Sequence, residues 1–288
     1  MHDKTILAIL TESATLLGNA GVSDPRREAS SILAHAIGRD RTFLIAHPEY
    51  SLSGEELLRF EPLLARRAAR EPLQYILGRT EFYGLEFEVS PGVLIPRPET
   101  ELIVEAASRF LNERAEPGFC EVGVGSGCIS AAILKQIPAA VGIGLEISPD
   151  ALAVARRNIE AHLLARRFEL RRSDVFSALG DDEMFDAIVS NPPCIAVGEI
   201  AGLQPEVRNF EPHRALTDGG DGLSLIRAII FGAPRFLRSG GLLLVEIGFG
   251  QSMEVASMID RSIWSEPEFL KDLQGIERTL SVVRRSRG

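Results

Sequence analysis

The chain has 288 residues, of which 45% are hydrophobic, so it is long and apolar enough for one large domain or two smaller ones with a real core. Its formal net charge of −9 argues against a protein that grips a nucleic-acid backbone, although a local basic groove on an acidic body is not excluded. The three cysteines form no Cys-x-x-Cys pair, and the start MHDKTILAIL carries early charges and only a short apolar run. We therefore expect a cytoplasmic protein without a membrane-spanning segment.

Helical spacing dominates the first seventy or so residues. The apolar positions that recur at this spacing in the first helix are Ile6, Leu7, Leu10, Ala14 and Leu17. Pro25 suits the start of a second helix and Gly38 its end. Ser53 and Glu56 have the spacing of a capping box, which opens a third helix that Pro62 is expected to kink or break. We predict a small helical-bundle domain over residues 1–75.

After this domain, the spacing of the apolar residues changes from that of helices to that of strands. The segment TEFYGLEFEVS alternates in the manner of strands around Gly84, and three prolines interrupt the following PGVLIPRPETE. This predicts a β-hairpin and linker over residues 76–98, with the next helix over 100–111.

From residue 119 onward, strands and helices alternate. The predicted strands cover 119–122, 141–146, 168–173, 185–190 and 241–247, with a last one in RTLSVVRR, and the predicted helices cover 128–136, 149–162 (capped by Ser148), 222–237 and 251–259. Such alternation is typical of an α/β domain with a parallel sheet covered on both faces. We assign this domain to residues 99–288.

A glycine-rich loop joins the first of these strands to its helix. In CEVGVGSGCIS, Gly123, Gly125 and Gly127 would let the backbone approach a ligand at a helix N-terminus. A dinucleotide-binding fingerprint requires a glycine where Cys128 stands, and no Gly-Lys-Ser/Thr phosphate loop is present. The pattern favours a nucleoside without phosphates, S-adenosylmethionine, over the alternative of a turn that serves only tight packing.

Two acidic residues follow the next two strands. Glu146 could accept hydrogen bonds from both ribose hydroxyls, or it could simply place a negative charge near the helix that Ser148 caps. Asp174 could accept from the adenine amino group, or it could be an ordinary turn aspartate. Together with the glycine loop at one edge of one sheet, these residues favour the ligand interpretation.

The sequence SNPPC follows the fourth strand of this domain, at the edge where open α/β sheets bind ligands. The side-chain oxygen of Asn191 and the carbonyl of Pro192 are two acceptors at a fixed separation, which suits a planar NH₂ group. An amide nitrogen is a weak nucleophile, and holding both of its hydrogens would aim it at a sulfonium methyl group. A rigid turn without further role is the alternative.

The motifs FYGLEFEVSPGVLIPRPETE, EVGVGSGCIS, LEISPDALAVARRN, SNPPC and FEPHRALTDGGDGL resemble, in this order, those of the protein-(glutamine-N5) methyltransferases that modify peptide-chain release factors (the HemK/PrmC family). The resemblance implies a Rossmann-like, seven-stranded, S-adenosylmethionine-dependent methyltransferase domain behind an N-terminal helical domain that engages the release factor. It implies that the substrate is the glutamine of a Gly-Gly-Gln motif and that the second product is S-adenosylhomocysteine.

The resemblance also implies roles for individual residues. The residues implied to bind the cofactor are Glu121, Gly123, Val124, Gly125, Ser126, Gly127, Glu146, Ile147, Asp174, Val175 and Asn191. Those implied to bind the substrate are Asn191, Pro192, Pro193 and Cys194, with Asn191 and Pro192 as the catalytic pair. No metal is expected, and the enzyme is expected to act as a monomer.

Two residues depart from the family pattern. Cys194 replaces the usual aromatic ring of Asn-Pro-Pro-Tyr, which removes a wall of the pocket, and Glu121 replaces the usual aspartate. A nucleophilic Cys194 is disfavoured because no histidine has a recognisable activating relation to it, and the five histidines show no metal-ligand spacing.

Three rival functions remain open from the sequence. Amino-group methylation of adenine in nucleic acid uses similar Asn/Asp-Pro-Pro-aromatic chemistry, but the acidic net charge and the missing aromatic ring weigh against it. Glutamine methylation of a ribosomal protein shares the motif. A protein that binds S-adenosylmethionine without turnover is suggested by Cys194, although both amide acceptors are retained.

Overall fold

The computed structural model describes residues 4–286, which form two compact units. One unit contains the chain up to Arg79 together with Gln204–Phe210, and the other contains Thr80–Leu203 and the chain from Glu211 onward. His2, one of the five histidines considered above, lies outside the described residues. A segment from the middle of the chain thus belongs to the N-terminal unit.

The predicted helices and strands occur in the predicted order, together with short elements that the sequence patterns did not indicate. The α-helices are α1 Ile6–Asn19, α2 Pro25–Ile37, α3 Arg41–Ala46, α4 Gly54–Ala68, α5 Leu73–Leu77, α6 Glu101–Leu111, α7 Cys128–Gln136, α8 Pro149–Ala161, α9 Pro205–Phe210, α10 His213–Leu216, α11 Ser224–Gly232 and α12 Ser252–Ser257. The strands are β1 Arg79–Phe82, β2 Leu85–Glu88, β3 Gly118–Val122, β4 Val141–Glu146, β5 Phe168–Arg172, β6 Phe185–Ser190, β7 Leu237–Glu246, β8 Glu268–Lys271 and β9 Glu277–Val283. Short 3₁₀ turns occur at Pro98–Thr100, Val197–Gly202 and Ala233–Arg235. None of the helices within residues 4–286 has the length and apolarity that crossing a bilayer requires.

The helical unit is held by an apolar core between α1, α2 and α4. Ile6, Ile32 and Leu33 are fully buried in it. The predicted capping box is confirmed, because the Glu56 backbone N–H donates to Ser53 Oγ while the Ser53 backbone N–H donates to the Glu56 carboxylate. Both bonds satisfy donors that a helix start would otherwise leave unpaired.

Pro62 does not break α4, which is one of the two outcomes expected from the sequence, and the helix runs through it to Ala68. A proline removes the hydrogen bond to the carbonyl four residues earlier, here that of Leu58. Pro62 and Leu58 both lie on the exposed face of the helix. Water can therefore satisfy the Leu58 carbonyl, which keeps the penalty small enough for the packed face to hold the helix together.

The second unit is built on a seven-stranded sheet with the order β5-β4-β3-β6-β7-β9-β8. Strands β3 to β7 are parallel, whereas β9 runs antiparallel to β7, and β8 to β9. The chain moves outward from β3 to β5, then returns to place β6 on the other side of β3. This reversal creates a crevice at the carboxyl ends of β3 and β6, where open α/β sheets bind ligands. The antiparallel edge with β8 was not predicted from the sequence.

The sheet is covered on both faces, as predicted. In β6, Ala187 and Val189 pack into the apolar cluster that α6, α7 and α8 share, whereas Ile188 between them packs into the cluster with α11 and α12. This is the two-residue alternation of a strand buried on both sides.

The predicted helix over 222–237 is too long. The observed α11 ends at Gly232, a 3₁₀ turn follows, and β7 begins at Leu237, earlier than predicted. Pro234 lacks an N–H for a helical hydrogen bond, and Gly232 has poor helix propensity, so the helix ends where the two lie close together.

Candidate active site

A cavity opens at the carboxyl ends of the parallel strands of the second unit. The predicted site residues that line it are Glu121, Gly123, Val124, Gly125, Ser126, Glu146, Ile147, Asp174, Val175, Asn191 and Pro193. Gly127, Pro192 and Cys194 are not among the lining residues. The crevice thus brings together predicted residues that lie up to 72 positions apart in the sequence.

The glycines of the loop after β3 serve two different functions. Gly123 and Gly125 have positive φ angles of 75° and 56°, and a Cβ added at either would meet no atom within 4 Å. Their backbone therefore faces open space along the cavity. Gly127 also has a positive φ, of 81°, but a Cβ there would touch Ala155 Cβ of α8 at 3.5 Å. Gly127 starts α7 and permits close helix packing, so the packing interpretation fits this one glycine.

The Glu146 carboxylate fixes the shape of this loop. Its Oε2 accepts from the Gly125 N–H at 3.0 Å, and its Oε1 accepts from the Ser148 N–H at 2.9 Å. Each carboxylate oxygen can accept a further hydrogen bond. Glu146 can thus hold the glycine loop and still accept from a ligand in the cavity.

Glu121 is fully buried in β3 at the cavity wall. Its Oε2 accepts from both the backbone N–H and the hydroxyl of Ser130, whereas its Oε1 has no partner among the described residues. Burial raises the pKa of this carboxyl to about 8. Burying an acceptor without a hydrogen-bond partner costs free energy of folding. The position of this oxygen fits a ligand that has a cationic amine.

The turn after β5 forms another part of the wall. Val175 has a positive φ of 48°, a region that β-branched residues rarely adopt. Its carbonyl accepts from Ser173 Oγ at 2.8 Å, and the Asp174 backbone N–H donates to Ser177 Oγ at 3.0 Å. The turn is thereby fixed, and the Asp174 side chain is exposed at the cavity without an intramolecular hydrogen bond in the described part of the chain. The strained valine gave no signal in the sequence.

Asn191, at the end of β6, is held from one side. Its Nδ2 donates to Thr100 Oγ1 at 3.0 Å. Thr100 is 2% exposed and also lines the cavity. Within residues 4–286, Asn191 Oδ1 makes no hydrogen bond, so this oxygen is available to a ligand. Thr100 lies in the RPETE motif, where the sequence pattern indicated only the start of a helix.

The backbone after Asn191 is locked from several directions. The Cys194 carbonyl accepts from Gln251 Nε2 at 2.8 Å, and the Ile195 N–H donates to the Leu216 carbonyl at 2.9 Å. The Val197 N–H donates to the Gly220 carbonyl at 2.9 Å. The FEPHRALTDGGDGL motif therefore supports the Asn-Pro-Pro turn.

The Cys194 side chain is partly buried against the cluster beneath α11 and α12. Burial raises the pKa of its thiol to about 12, so the thiol is neutral at physiological pH. A neutral, partly covered thiol is a poor nucleophile, in agreement with the sequence-based interpretation.

The cavity wall carries charges of both signs. Glu146 and Asp174 contribute carboxylates, Glu121 contributes a buried carboxyl that a cationic ligand would ionise, and Arg214 is the only Lys, Arg or His among the described lining residues. A ligand with two cationic groups and one carboxylate, such as S-adenosylmethionine, matches this arrangement. The unpaired Glu121 Oε1 and the open space above Gly123 and Gly125 are the observations that fit this cofactor.

Comparison with known proteins gives two family matches. Residues 8–78 match the model described as PrmC N-terminal domain, and residues 100–204 match the one described as methyltransferase small domain. A Geobacter sulfurreducens protein named release factor glutamine methyltransferase is 45% identical over 276 residues, which is 96% of this chain and 95% of the relative. A protein of the same name from Cereibacter sphaeroides is 46% identical over 267 residues, 92% and 93% of the two chains.

Solved structures with low sequence identity share the fold. A methyltransferase from Pyrococcus furiosus superposes with a TM-score of 0.53 at 19% identity, covering 72% of this chain and 91% of its own. The hMettl16 catalytic domain, solved with an RNA hairpin, gives a TM-score of 0.59 at 17% identity over 80% and 84% of the two chains. These likenesses establish a methyltransferase fold and carry no information on the substrate.

Proposed function

Because this chain belongs to the family of release factor glutamine methyltransferases, we propose that Asn191 and Pro192 hold the glutamine amide of a release factor beside the methyl donor. The protein is an S-adenosylmethionine-dependent methyltransferase that acts on the side-chain amide nitrogen of a release-factor glutamine. The glutamine of the Gly-Gly-Gln motif is the proposed target.

The availability of Asn191 Oδ1 is the observation that supports the proposed catalytic role. The Asn191 NH₂ group is engaged by Thr100, which leaves the oxygen as the acceptor at the cavity. A glutamine NH₂ has two hydrogens, one for this oxygen and one for the Pro192 carbonyl. Pro192 itself is buried and does not line the cavity, so its proposed contact is through the main chain alone.

S-adenosylmethionine supplies an activated methyl group when it is bound. We assign its methionine part to Glu121 and the segment from Gly123 to Gly127, with Gly127 contributing through the start of α7. Glu146 and Ile147 receive the ribose, and Asp174 with Val175 the adenine. These assignments are supported by the unpaired Glu121 oxygen and the open glycine backbone.

The chemistry requires that the amide nitrogen be aimed, because its lone pair is delocalised into the carbonyl. Two fixed acceptors hold both hydrogens and favour the rehybridisation that frees this lone pair. Positioning of this kind, with electrostatic stabilisation by preorganised groups, supplies several kcal/mol without a strong general base. Pro193 keeps the turn rigid, and Cys194 helps to hold it in place because its main-chain carbonyl accepts a hydrogen bond from Gln251.

We assign release-factor engagement to the N-terminal helical domain over residues 1–75, and the methyl transfer to residues 99–288 beyond the hairpin and linker. The enzyme acts as a monomer in the cytoplasm, where translation supplies its substrate, and it binds no nucleic acid directly. The net charge of −9 supports the last point.

The test is transfer of a labelled methyl group to purified release factor, ribosomal proteins and nucleic acid in parallel reactions. We expect label in the release factor, lost when its Gly-Gly-Gln glutamine is replaced by alanine. Asn191→Ala is expected to lower kcat by roughly 100-fold or more, the scale for losing one preorganised polar group. Asn112→Ala, at an exposed asparagine that ends α6, is the matched control and leaves kcat unchanged.

Label found only in ribosomal protein or only in nucleic acid would replace the proposed substrate by one of these rivals. Tight S-adenosylmethionine binding without transfer to any substrate would identify a binding protein. Full activity of Asn191→Ala would refute the assigned site.

A further inference from the structure

Thr100 occupies the N-cap position of α6, yet its side chain makes no capping hydrogen bond. Its backbone angles are helical, with φ −67° and ψ −18°, because the 3₁₀ turn Pro98–Thr100 leads directly into α6, so its hydroxyl is not placed to cap the first turn. Here its hydroxyl oxygen accepts instead from Asn191 Nδ2. The Thr100 hydroxyl thus bonds to the Asn-Pro-Pro turn, 91 residues further along the chain, and not to the start of its own helix.

Glu246, the last residue of β7, lies on the other side of Thr100. Its Oε2 is buried and has no hydrogen-bond partner among the described residues. Burial raises the pKa of this carboxyl to about 7, while a hydrogen bond with the Thr100 side chain acts in the opposite direction. The strand places this carboxylate next to the end of β6, because β6 and β7 are paired neighbours.

The hydrogen-bonding capacity of these three groups fixes the direction of each bond. An ionised carboxylate only accepts, so the single Thr100 hydrogen is donated to Glu246. The Thr100 oxygen then has only lone pairs to offer, and its partner on Asn191 must be the NH₂ group. The Asn191 amide is thereby turned so that Oδ1, the required acceptor, is left for the substrate.

We propose that Thr100 and Glu246 are positioning residues that set the orientation of the Asn191 amide. This inference rests on the proposed role of Asn191 in binding the glutamine amide. It goes beyond that role because neither residue touches the reacting atoms, and each acts through Asn191.

Protonation of Glu246 removes the constraint on direction. A protonated carboxyl can donate to Thr100, which can then donate to Asn191 and allow the amide to turn its NH₂ toward the cavity. Charged and titratable groups around Glu246 are Glu99, Arg97, Arg278 and the Cys194 thiol. Glu99 raises its pKa and the two arginines lower it. The ionised fraction grows as the pH rises through about 7, so activity is expected to rise over the same interval.

The enzymatic test uses three substitutions and one matched control. Thr100→Val keeps the shape but removes the hydroxyl, and we expect kcat to fall about 10- to 100-fold, the scale of a misplaced catalytic group. Thr100→Ser keeps the hydroxyl and is expected to stay within about 3-fold of the wild type. Glu246→Gln is expected to abolish the rise of kcat between pH 6 and 8. Ser108→Ala, at a buried α6 hydroxyl without a hydrogen-bond partner among the described residues, controls for the loss of a buried hydroxyl and leaves kcat unchanged.

A second measurement does not depend on turnover. The side-chain ¹⁵N–¹H resonances of Asn191, assigned by their loss in Asn191→Ala, are expected to titrate near pH 7 in the wild type and to stay constant in Glu246→Gln. Thr100→Val is expected to shift them, whereas Ser108→Ala leaves them in place. These spectra test the orientation of the amide even where a variant is inactive.

Wild-type kcat in Thr100→Val with an unmoved Asn191 resonance would overturn the proposal. So would equal losses in Thr100→Val and Ser108→Ala, or an unchanged pH profile in Glu246→Gln. A wild-type enzyme that fails to methylate any release factor would reject the proposed function instead, and the Asn191 spectra would still decide the orientation.

Discussion

Glu121 presents an unpaired carboxylate oxygen on the cavity wall, so its ionisation depends on what occupies the cavity. Its pKa of about 8 in the ligand-free protein means that the carboxyl is mostly protonated at pH 7. A ligand amine beside it would stabilise the ionised form and drive a proton off. Binding and proton release are then linked.

We predict that S-adenosylmethionine binding at pH 7 releases close to one proton, and that affinity rises with pH up to about 8. Calorimetry in buffers of different ionisation enthalpy measures the released proton. In Glu121→Gln we expect no release from this site and weaker binding. Proton release unchanged in this variant would contradict the assignment.

The same residue affects stability in a defined direction. Its pKa in the folded state lies above the value of 4.5 expected in the unfolded chain, so its contribution to stability is complete below pH 4.5 and is lost as the pH rises through about 8. At alkaline pH the buried Glu121 carboxyl therefore lowers the free energy of unfolding, and ligand binding offsets this loss.

At the scale of elements, the loop before α11 shapes the Asn-Pro-Pro turn. Asp218 accepts from the backbone N–H groups of Gly220, Gly222 and Ser224, and these bonds lower the pKa of its carboxyl to about 2. The ordered loop places Gly222 so close to Cys194 that any Cβ at residue 222 would clash with the Cys194 carbonyl.

Two glycines of this loop allow a controlled comparison. Gly219 and Gly222 have positive φ angles of 82° and 78°, but a Cβ at Gly219 would meet no atom within 4 Å. Gly219→Ala is expected to cost only the conformational strain, about 1 kcal/mol, with kcat retained. Gly222→Ala is expected to add displacement of the turn and lower kcat about 100-fold. Chemical denaturation and single-turnover rates measure the two effects, and equal rates in both variants would contradict the prediction.

At the scale of the whole molecule, a buried ion cluster joins distant parts of the chain within the helical unit. Arg67 is 4% exposed and binds Glu28 of α2 and Glu206 of α9, while Arg70 binds the same Glu206 carboxylate. These pairs connect residues up to 139 positions apart and bring α9 into the N-terminal unit.

Arg67→Met is predicted to destabilise the helical unit by about 3 kcal/mol, because it leaves two partly buried carboxylates without this partner, although Glu206 keeps Arg70. Hydrogen exchange is expected to increase together in α2 and α9. Arg66→Met, next to it in α4, removes an ion pair between a half-exposed arginine and Glu71 and is expected to cost at most about 1 kcal/mol. Similar exchange in the two variants would contradict the cooperative role of the cluster.

The sequence by itself determined the features that depend on local residue patterns. Periodicity located most helices and strands, and turn chemistry located the glycine loop after β3 and the Asn-Pro-Pro turn after β6. These features depend on residues within a few positions of one another, so they can be read along the chain. The resemblance to a known family supplied the substrate.

Only the tertiary structure decided which residues that are far apart in the sequence act together. It showed that Gly127 serves helix packing and that α4 continues through Pro62 on its exposed face. It also placed Thr100 next to Asn191, and Glu246 next to Thr100. Along the chain, Thr100 is simply the first residue of a predicted helix, and its partner Asn191 follows 91 residues later. Partners of this kind meet only when the sheet brings its strand ends together, because hydrogen bonds require contact in space and not proximity in sequence.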